Sequence, residues 1–486
     1  MWDIIAILIA LGLLMYLAFR GFTLILLGPA AALLAVALTG SLPVLAAYTQ
    51  IFMGNAGSFI IAFFPLFMLG AIFGRLMDDT GSAKSIARTV SAWLGPERAI
   101  LSVAICCAVL TYGGVSAFVV AFAVFPLAAA LFRSADIPKR LIPGAIALGA
   151  FSFTMTALPG TPAIQNAIPM PFFGTTAFAA PGLGIFSGVV MLLLGMLWLN
   201  RRAASARSHG EGYGNHADSL PEPDVVLRER AQTEGYDLNE LPKGKDAPGE
   251  EALPPFWLAV LPIIVVIGAN LIFSKVVIPT WDTAFLAEPL FGETTIESVR
   301  GVWSVIVGLF LAILLLVFGN WSRLKNLRTS LDQGTDASVL PIFNTASLVG
   351  FGAVIAALPA FGLIADAVLE MGGGSPLISV AASVGLLSAI TGSASGGMSI
   401  ALESLGPTLV DMANAAGTSL EAMHRITALA SGSLDVLPHS GAVITLLAVC
   451  KLSHGESYFD VFITSLAAPF VALILTIALA SVVGSF

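Results

Sequence analysis

Hydrophobic positions along this chain gather into long unbroken runs, not into the alternation of a strand or the one-sided stripe of a surface helix. Runs at 3–19, 22–39 and 58–77 approach the roughly 20 residues that a helix needs to cross a bilayer. Residues 78–98 turn polar but keep Ile86, Val90 and Trp93 at helical spacing, which predicts a short helix lying in the interface. A longer run over 99–132 is cut at Thr111-Tyr112-Gly113-Gly114-Val115-Ser116. The next, over 141–169, is cut at Leu158-Pro159-Gly160-Thr161-Pro162, and a clean span follows at 182–199. Residues 200–253 are hydrophilic, rich in Gly, Pro and Glu, without aromatic clusters or apolar periodicity, and read as a largely disordered linker.

After the linker the plan recurs. Spans lie near 256–274, 299–319 and 338–370, an interrupted run at 376–411, a broken run at 425–451 and a final span at 459–484. The breaks match at an offset of about 280 residues: Leu158-Pro159-Gly160-Thr161-Pro162-Ala163 with Leu437-Pro438-His439-Ser440-Gly441-Ala442, and Thr111-Tyr112-Gly113-Gly114 with Thr391-Gly392-Ser393-Ala394. Read as a re-entrant hairpin plus five full crossings, each half has odd parity, so the halves must be inverted relative to one another. The expected fold is an all-α polytopic membrane protein with an inverted structural repeat. Each half has three helices, a re-entrant hairpin, a broken helix and a final helix. The first repeat is 1–199 (scaffold helices, hairpin 99–132, broken helix 141–169). The second is 254–486 (hairpin 376–411, broken helix 425–451), with 200–253 a cytoplasmic linker.

Charge orients the repeat. Arg20, Arg75, Lys84, Arg88, Arg98, Arg133, Lys139, Arg140, Arg201, Arg202, Arg323, Lys325, Arg328 and Lys451 fall on one side, while the opposite connections at 40–57 and 170–181 hold no charge. The positive-inside rule makes the basic side cytoplasmic, with both termini outside. Composition agrees with the class: 57% of residues are hydrophobic and 11% charged, against about a quarter charged in soluble domains, and mean hydropathy is +0.92. Cys106, Cys107 and Cys450 all sit in apolar runs, which argues against a disulfide framework or a zinc site. The first apolar run lacks a basic flank ahead of it and a small-residue cleavage site, so it reads as a retained helix. No G-x-x-x-x-G-K-[ST] or H-E-x-x-H occurs, which speaks against ATP-driven transport and a zinc helix.

The breaks carry the candidate chemistry. Free backbone at membrane depth is tolerated only where protein buries it or a cavity takes it, and helix N-termini there attract anions. Candidate substrate contacts are Thr111, Gly113, Gly114, Ser116, Gly160, Thr161, Ser393, Ser395, Gly396, His439 and Ser440. The competing reading is that Gly and Ser merely let helices pack closely; four polar breaks at symmetric positions favour a site. Among acids at membrane depth, Asp435 and Glu403 are proton-coupling candidates, because a central carboxyl costs about 2.5–3.5 kcal/mol to insert. Asp435 precedes His439 by four residues, so the two can pass a proton. The structural alternatives are a packing histidine for His439 and a snorkelling acid for Glu403. His424 and Arg425 fall at a predicted membrane edge and read as structural.

Three motifs carry a family resemblance: Leu69-Gly-Ala-Ile-Phe-Gly74 with Asp79-Thr-Gly-Ser-Ala83, Thr391-Gly-Ser-Ala-Ser395, and Leu437-Pro-His-Ser-Gly441. In their order and spacing the chain resembles the gluconate permease (GntP-type) family of the ion-transporter superfamily. The resemblance implies cation-coupled uptake of small hydroxy-carboxylates in a bacterial inner membrane; the acid beside the second break makes the proton the expected coupling ion in a symporter, with sodium the alternative. The resemblance also implies a scaffold, a mobile transport domain and a homodimer; no organic cofactor, metal or nucleic-acid partner is expected. Gly396-Gly397-Met398 and the long acidic loop depart from the sugar-acid members, and the tip and Pro-break sequences resemble members for 3-hydroxybutyrate. A serine hydrolase pairing Ser395 with His439 is the enzymatic rival, for which no oxyanion donor is identifiable; a channel is the other.

Overall fold

The computed structural model describes residues 2–20, 22–216, 253–438 and 440–486. The chain begins with α1 (Trp2–Phe19) and α2 (Leu24–Thr39), followed by α3 (Val44–Asp79), a span of 36 residues. The helix expected over 78–98 is α4 (Ser82–Leu94), after which the chain bends by 104° into α5 (Ala99–Tyr112). With α6 (Ala117–Ser134), α5 forms the first hairpin. Then α7 (Ile142–Ala150) breaks into single turns at Phe153–Thr156, Ile164–Ala167 and Pro169–Phe173, and α8 (Pro181–Ser208) closes the half.

The second half repeats this order. It runs through α9 (Phe256–Thr280), α10 (Ile296–Gly319), α11 (Leu327–Ala356) and α12 (Phe361–Glu370) to the hairpin α13 (Pro376–Thr391) and α14 (Ala394–Ala415). Then α15 (Leu420–Ser431) breaks before α16 (Gly441–Cys450), and α17 (His454–Val483) ends the repeat. Hairpin helices begin at Ala99 and Ala117 in one half and at Pro376 and Ala394 in the other, an offset of 277 residues each time.

Packing obeys the same exchange. α1 packs on α2 as α9 does on α10, α2 on α11 as α10 does on α3, and α5 on α7 as α13 does on α15. The equivalent helices α3 and α11 pack on each other, and so do α8 and α17. Gly350 abuts Phe52 while Gly334 abuts Ile72, so α3 and α11 run antiparallel, as inverted copies of one helix must. The chain is an all-α polytopic membrane protein built as an inverted repeat. Among the described residues six helices are long and apolar enough to span by themselves.

Boundaries differ from the sequence reading in three places. The connection at 40–57 shrinks, because α3 starts at Val44. Its polar residues bond back into their own helix: Thr49 Oγ1 donates to Leu45 O (2.8 Å) and Asn55 Nδ2 to Ile51 O (2.7 Å). The span placed at 338–370 divides into α11 and α12 at Pro359, and α11 begins eleven residues earlier, at Leu327. Asn326 caps it by accepting from Thr329 N. Finally, the start of the linker is structured. α8 continues to Ser208, and Glu211 grips Arg140 through two hydrogen bonds of 2.7 and 2.8 Å. Arg140 thereby holds the Glu211 carboxyl below its ordinary range. Asp460, 1% exposed, ties this corner to α17 by binding Arg140 (3.3 Å), Arg202 (3.0 Å) and Trp198 Nε1 (2.9 Å). Residues 217–252 of the expected linker lie outside the described residues.

Candidate functional site

The two hairpin tips are built by glycine and serine. In the first, Gly114 sits at φ +95, where a Cβ would come within 2.7 Å of Pro162, so both the backbone and the neighbouring Pro-break demand glycine. Ser116 then stands at the N-cap position of α6, its hydroxyl making no capping bond. In the second, Ser393 caps α14 and its hydroxyl accepts from Gly396 N (3.2 Å). A Cβ on Gly397 would collide with the backbone of Ser388, which is how closely the arms of this hairpin approach.

The first Pro-break is held by a cluster of residues far apart in sequence. Asn166 Nδ2 donates to Thr161 O and Ala177 O, both at 3.0 Å, so its Oδ1 is the acceptor. That oxygen receives Arg425 Nη1 (3.1 Å) and His424 Nε2 (3.2 Å). With Nε2 protonated, Nδ1 of His424 accepts from the Thr175 hydroxyl (2.6 Å), which fixes the neutral tautomer. Arg425 also reaches Ala179 O (2.8 and 3.1 Å), Ala177 O (3.3 Å) and Thr156 O (3.4 Å). Both residues are fully buried and do not lie at an exposed membrane edge. Buried polar groups at this depth need such saturation. Tyr112 adds a 2.7 Å bond from its hydroxyl to Pro159 O, joining the first tip to the break.

Between the tips lies a cavity of about 190 Å³. Its wall takes Thr111, Gly114 and Ser116 from the first hairpin, Ser393 and Ser395 from the second, and Pro162 to Gln165 from the break. Long helices supply the rest, including Leu66, Phe67, Gly70 and Ala71 from α3 and Ser338, Asn344, Thr345 and Leu348 from α11. Among the described residues, none that lines the cavity carries a charge. The hydroxyls of Thr111 and Ser116 are buried without a hydrogen-bond partner. The N-termini of α6 and α14, 18 and 22 residues long, both open here. The first amides of a helix have no partner inside it, and its dipole places partial positive charge there. The wall is therefore mostly apolar, with converging donors suited to an oxyanion.

Other candidates from the sequence lie off this wall. Gly113 packs against Ile263, Gly160 against Phe178 and Gly396 against Leu348. Thr161 is fully buried and accepts from Ala163 N. Ser440 is buried, and Asp435 and Glu403 are half-buried, none of them lining the cavity. His439 lies outside the described residues. The second Pro-break faces outward at Pro438, whose carbonyl meets His454 Nε2 at 2.9 Å. Wall residues that sequence reasoning missed include Gln165, Ser338, Asn344 and Thr345. Their signal was present as polar residues interrupting apolar runs.

Fold and site together define a multi-pass membrane transporter. More particularly, the chain belongs to the family of the Bacillus subtilis protein named uncharacterized transporter YxjC, with 42% identity over 471 residues and 96% of each chain covered. A second relative, an uncharacterized transporter of Haemophilus influenzae, matches only 93 residues, 19% of this chain and 22% of its own, at 33% identity. No family model matches. Among solved structures, the Alcanivorax borkumensis YdaH transporter, described as having an unusual topology, aligns with a TM-score of 0.52 over 90% of this chain and 88% of its own. At 15% identity that likeness is one of fold.

Proposed function

We propose that this transporter is a secondary carrier for a short-chain hydroxy-carboxylate, 3-hydroxybutyrate or a close analogue, working by alternating access in a bacterial inner membrane as a proton symporter. The observation that carries the reading is a cavity with no charged residue among its described lining, onto which two helix N-termini converge and beside which the hydroxyls of Thr111 and Ser116 are buried unpaired. A carboxylate there gains charge-assisted hydrogen bonds without needing a basic side chain. The remaining wall, with Leu66, Phe67, Met155, Ile164 and Leu348, suits a methyl-ended chain. A polyhydroxylated sugar acid would leave hydroxyls against apolar surface, each costing about 1–3 kcal/mol if unpaired. The volume points the same way, since about 190 Å³ is below the range of about 300 Å³ and more that takes drug-sized ligands.

Alternating access draws support from asymmetry between the repeats. One Pro-break lines the cavity while its counterpart does not and is exposed at Pro438; exchange of the two roles would turn the site to the other side. Sodium coupling is the second reading, favoured by the serine and threonine residues on the wall, among whose described residues there is no carboxylate. The deciding experiment is counterflow of labelled 3-hydroxybutyrate in proteoliposomes, with gluconate as competitor, in sodium-free buffer. We expect saturable exchange that excess gluconate leaves intact. Exchange of gluconate in preference to 3-hydroxybutyrate would refute the substrate class, and strict sodium dependence would refute the proton.

A further inference from the structure

We propose that Asp78 is the proton-binding site that couples this carrier to the pH gradient. This rests on the carboxylate-carrier reading above and deepens it. The evidence is a stripe on α3. Phe67, Gly70 and Ala71 line the cavity. One turn on, Gly74 lies against the first hairpin tip, where a Cβ would sit 3.7 Å from Ser116 N and 3.9 Å from Val115 Cα. Asp78 follows after another turn. Positions 71, 74 and 78 share a helix face, and at 1.5 Å per residue Asp78 lies about 10 Å beyond Ala71 along the axis. The first tip thus separates it from the cavity.

Asp78 is 3% exposed and its Oδ2 has no hydrogen-bond partner. Arg75, the cation one turn earlier, is bonded to Asp79 (2.9 Å) and not to Asp78. Among the described residues the charged groups around it are Arg75 and Asp79 on α3 and Lys84 on α4, none within ion-pair distance of its carboxyl. On α11, Arg328 pairs with Asp332 at 3.5 Å, and both, with Asp336, are exposed. On α10 the charges are Glu297 and Arg300, in its first turns; α2 has none, and α6 has only Arg133 near its far end. A buried carboxylate with no ion pair and one oxygen left without a hydrogen bond costs several kcal/mol, and such a group neutralises instead. The closed tip therefore requires a proton on Asp78. Closing over the substrate takes one proton from water onto Oδ2; opening toward the basic end wets the carboxyl and returns it. One monoanion moves with one proton.

The test is Asp78→Asn in proteoliposomes, beside Asp79→Asn and Asp435→Asn. Wild-type affinity for 3-hydroxybutyrate is expected to fall tenfold per pH unit across the alkaline limb, one proton being bound with each substrate. Asp78→Asn should flatten that slope and abolish accumulation on a pH gradient while exchange between equal pools survives. If Asp78→Asn is lost in folding, Asp78→Ser carries the same expectation. Retained pH-driven accumulation in either variant, loss in Asp435→Asn alone, or a sodium requirement removed by Asp78→Asn would overturn the assignment. Should wild type not exchange 3-hydroxybutyrate, the substrate reading fails but Asp78 is still tested. An infrared band of a protonated carboxyl at neutral pH should be present in wild type and missing in Asp78→Asn; its persistence overturns the proposal.

Discussion

Replacing Arg425 with methionine tests whether the buried cluster holds the first Pro-break. Its guanidinium reaches four acceptors. Two keep other partners after its removal: Ala177 O still receives Gly160 N (2.8 Å) and Asn166 Nδ2 (3.0 Å), and Asn166 Oδ1 still receives His424 Nε2. Thr156 O and Ala179 O lose the side-chain donors recorded for them. Two stranded buried carbonyls cost about 2–6 kcal/mol. Relief from burying a charge that lacks an ion-pair partner offsets part of this, leaving a loss of about 2–4 kcal/mol. All three cysteines are buried, so a fluorogenic maleimide reports unfolding directly during a thermal ramp. Arg425→Met should melt several degrees lower. Arg425→Lys should fall between, since an ammonium keeps the charge but cannot span the same acceptors. Melting of Arg425→Met at the wild-type temperature would refute the cluster as the support of the break.

Thr111→Val and Ser116→Ala each remove an unpaired hydroxyl from the cavity; loss of a hydrogen bond to a charged group is worth about 1.5–3 kcal/mol, so KM in counterflow should rise at least tenfold, and an unchanged KM removes that residue from the site. Cysteines at Ser116 and Ser395 should be protected from a thiol reagent by substrate, and one at Ser440 less so; equal protection at Ser440 would mean that the second break also closes on the substrate. Gly114→Ala meets both a positive φ and Pro162, and should lower stability by at least about 1 kcal/mol, read in the same thermal ramp. Glu211 has its carboxyl held below the ordinary value by Arg140, so its contribution is present above about pH 4.5 and fades as pH falls further. Glu211→Gln should melt lower than wild type at neutral pH and show a smaller further loss on acidification; identical pH profiles would contradict this.

The repeat, the hairpins and the breaks were legible in the chain itself. A bilayer penalises every free amide, so long apolar runs mean helices, and Gly-, Ser- or Pro-rich cuts inside them mean protected non-helical backbone. Inversion was legible too, because hairpins taken as re-entrant leave an odd number of crossings per half. Tertiary packing decided which polar residues face the cavity and which face their own helix. Thr49 and Asn55 bond back to carbonyls four residues earlier, whereas the Thr111 hydroxyl is buried beside the wall without a partner. An apolar run has no polar face to reveal how its helix is rotated, so Gln165, Asn344 and Asp78 could not be placed by spacing. Arg425 makes the same point across 246 residues. Only the approach of α15 to the first Pro-break supplies the carbonyls that turn an expected edge arginine into a buried brace.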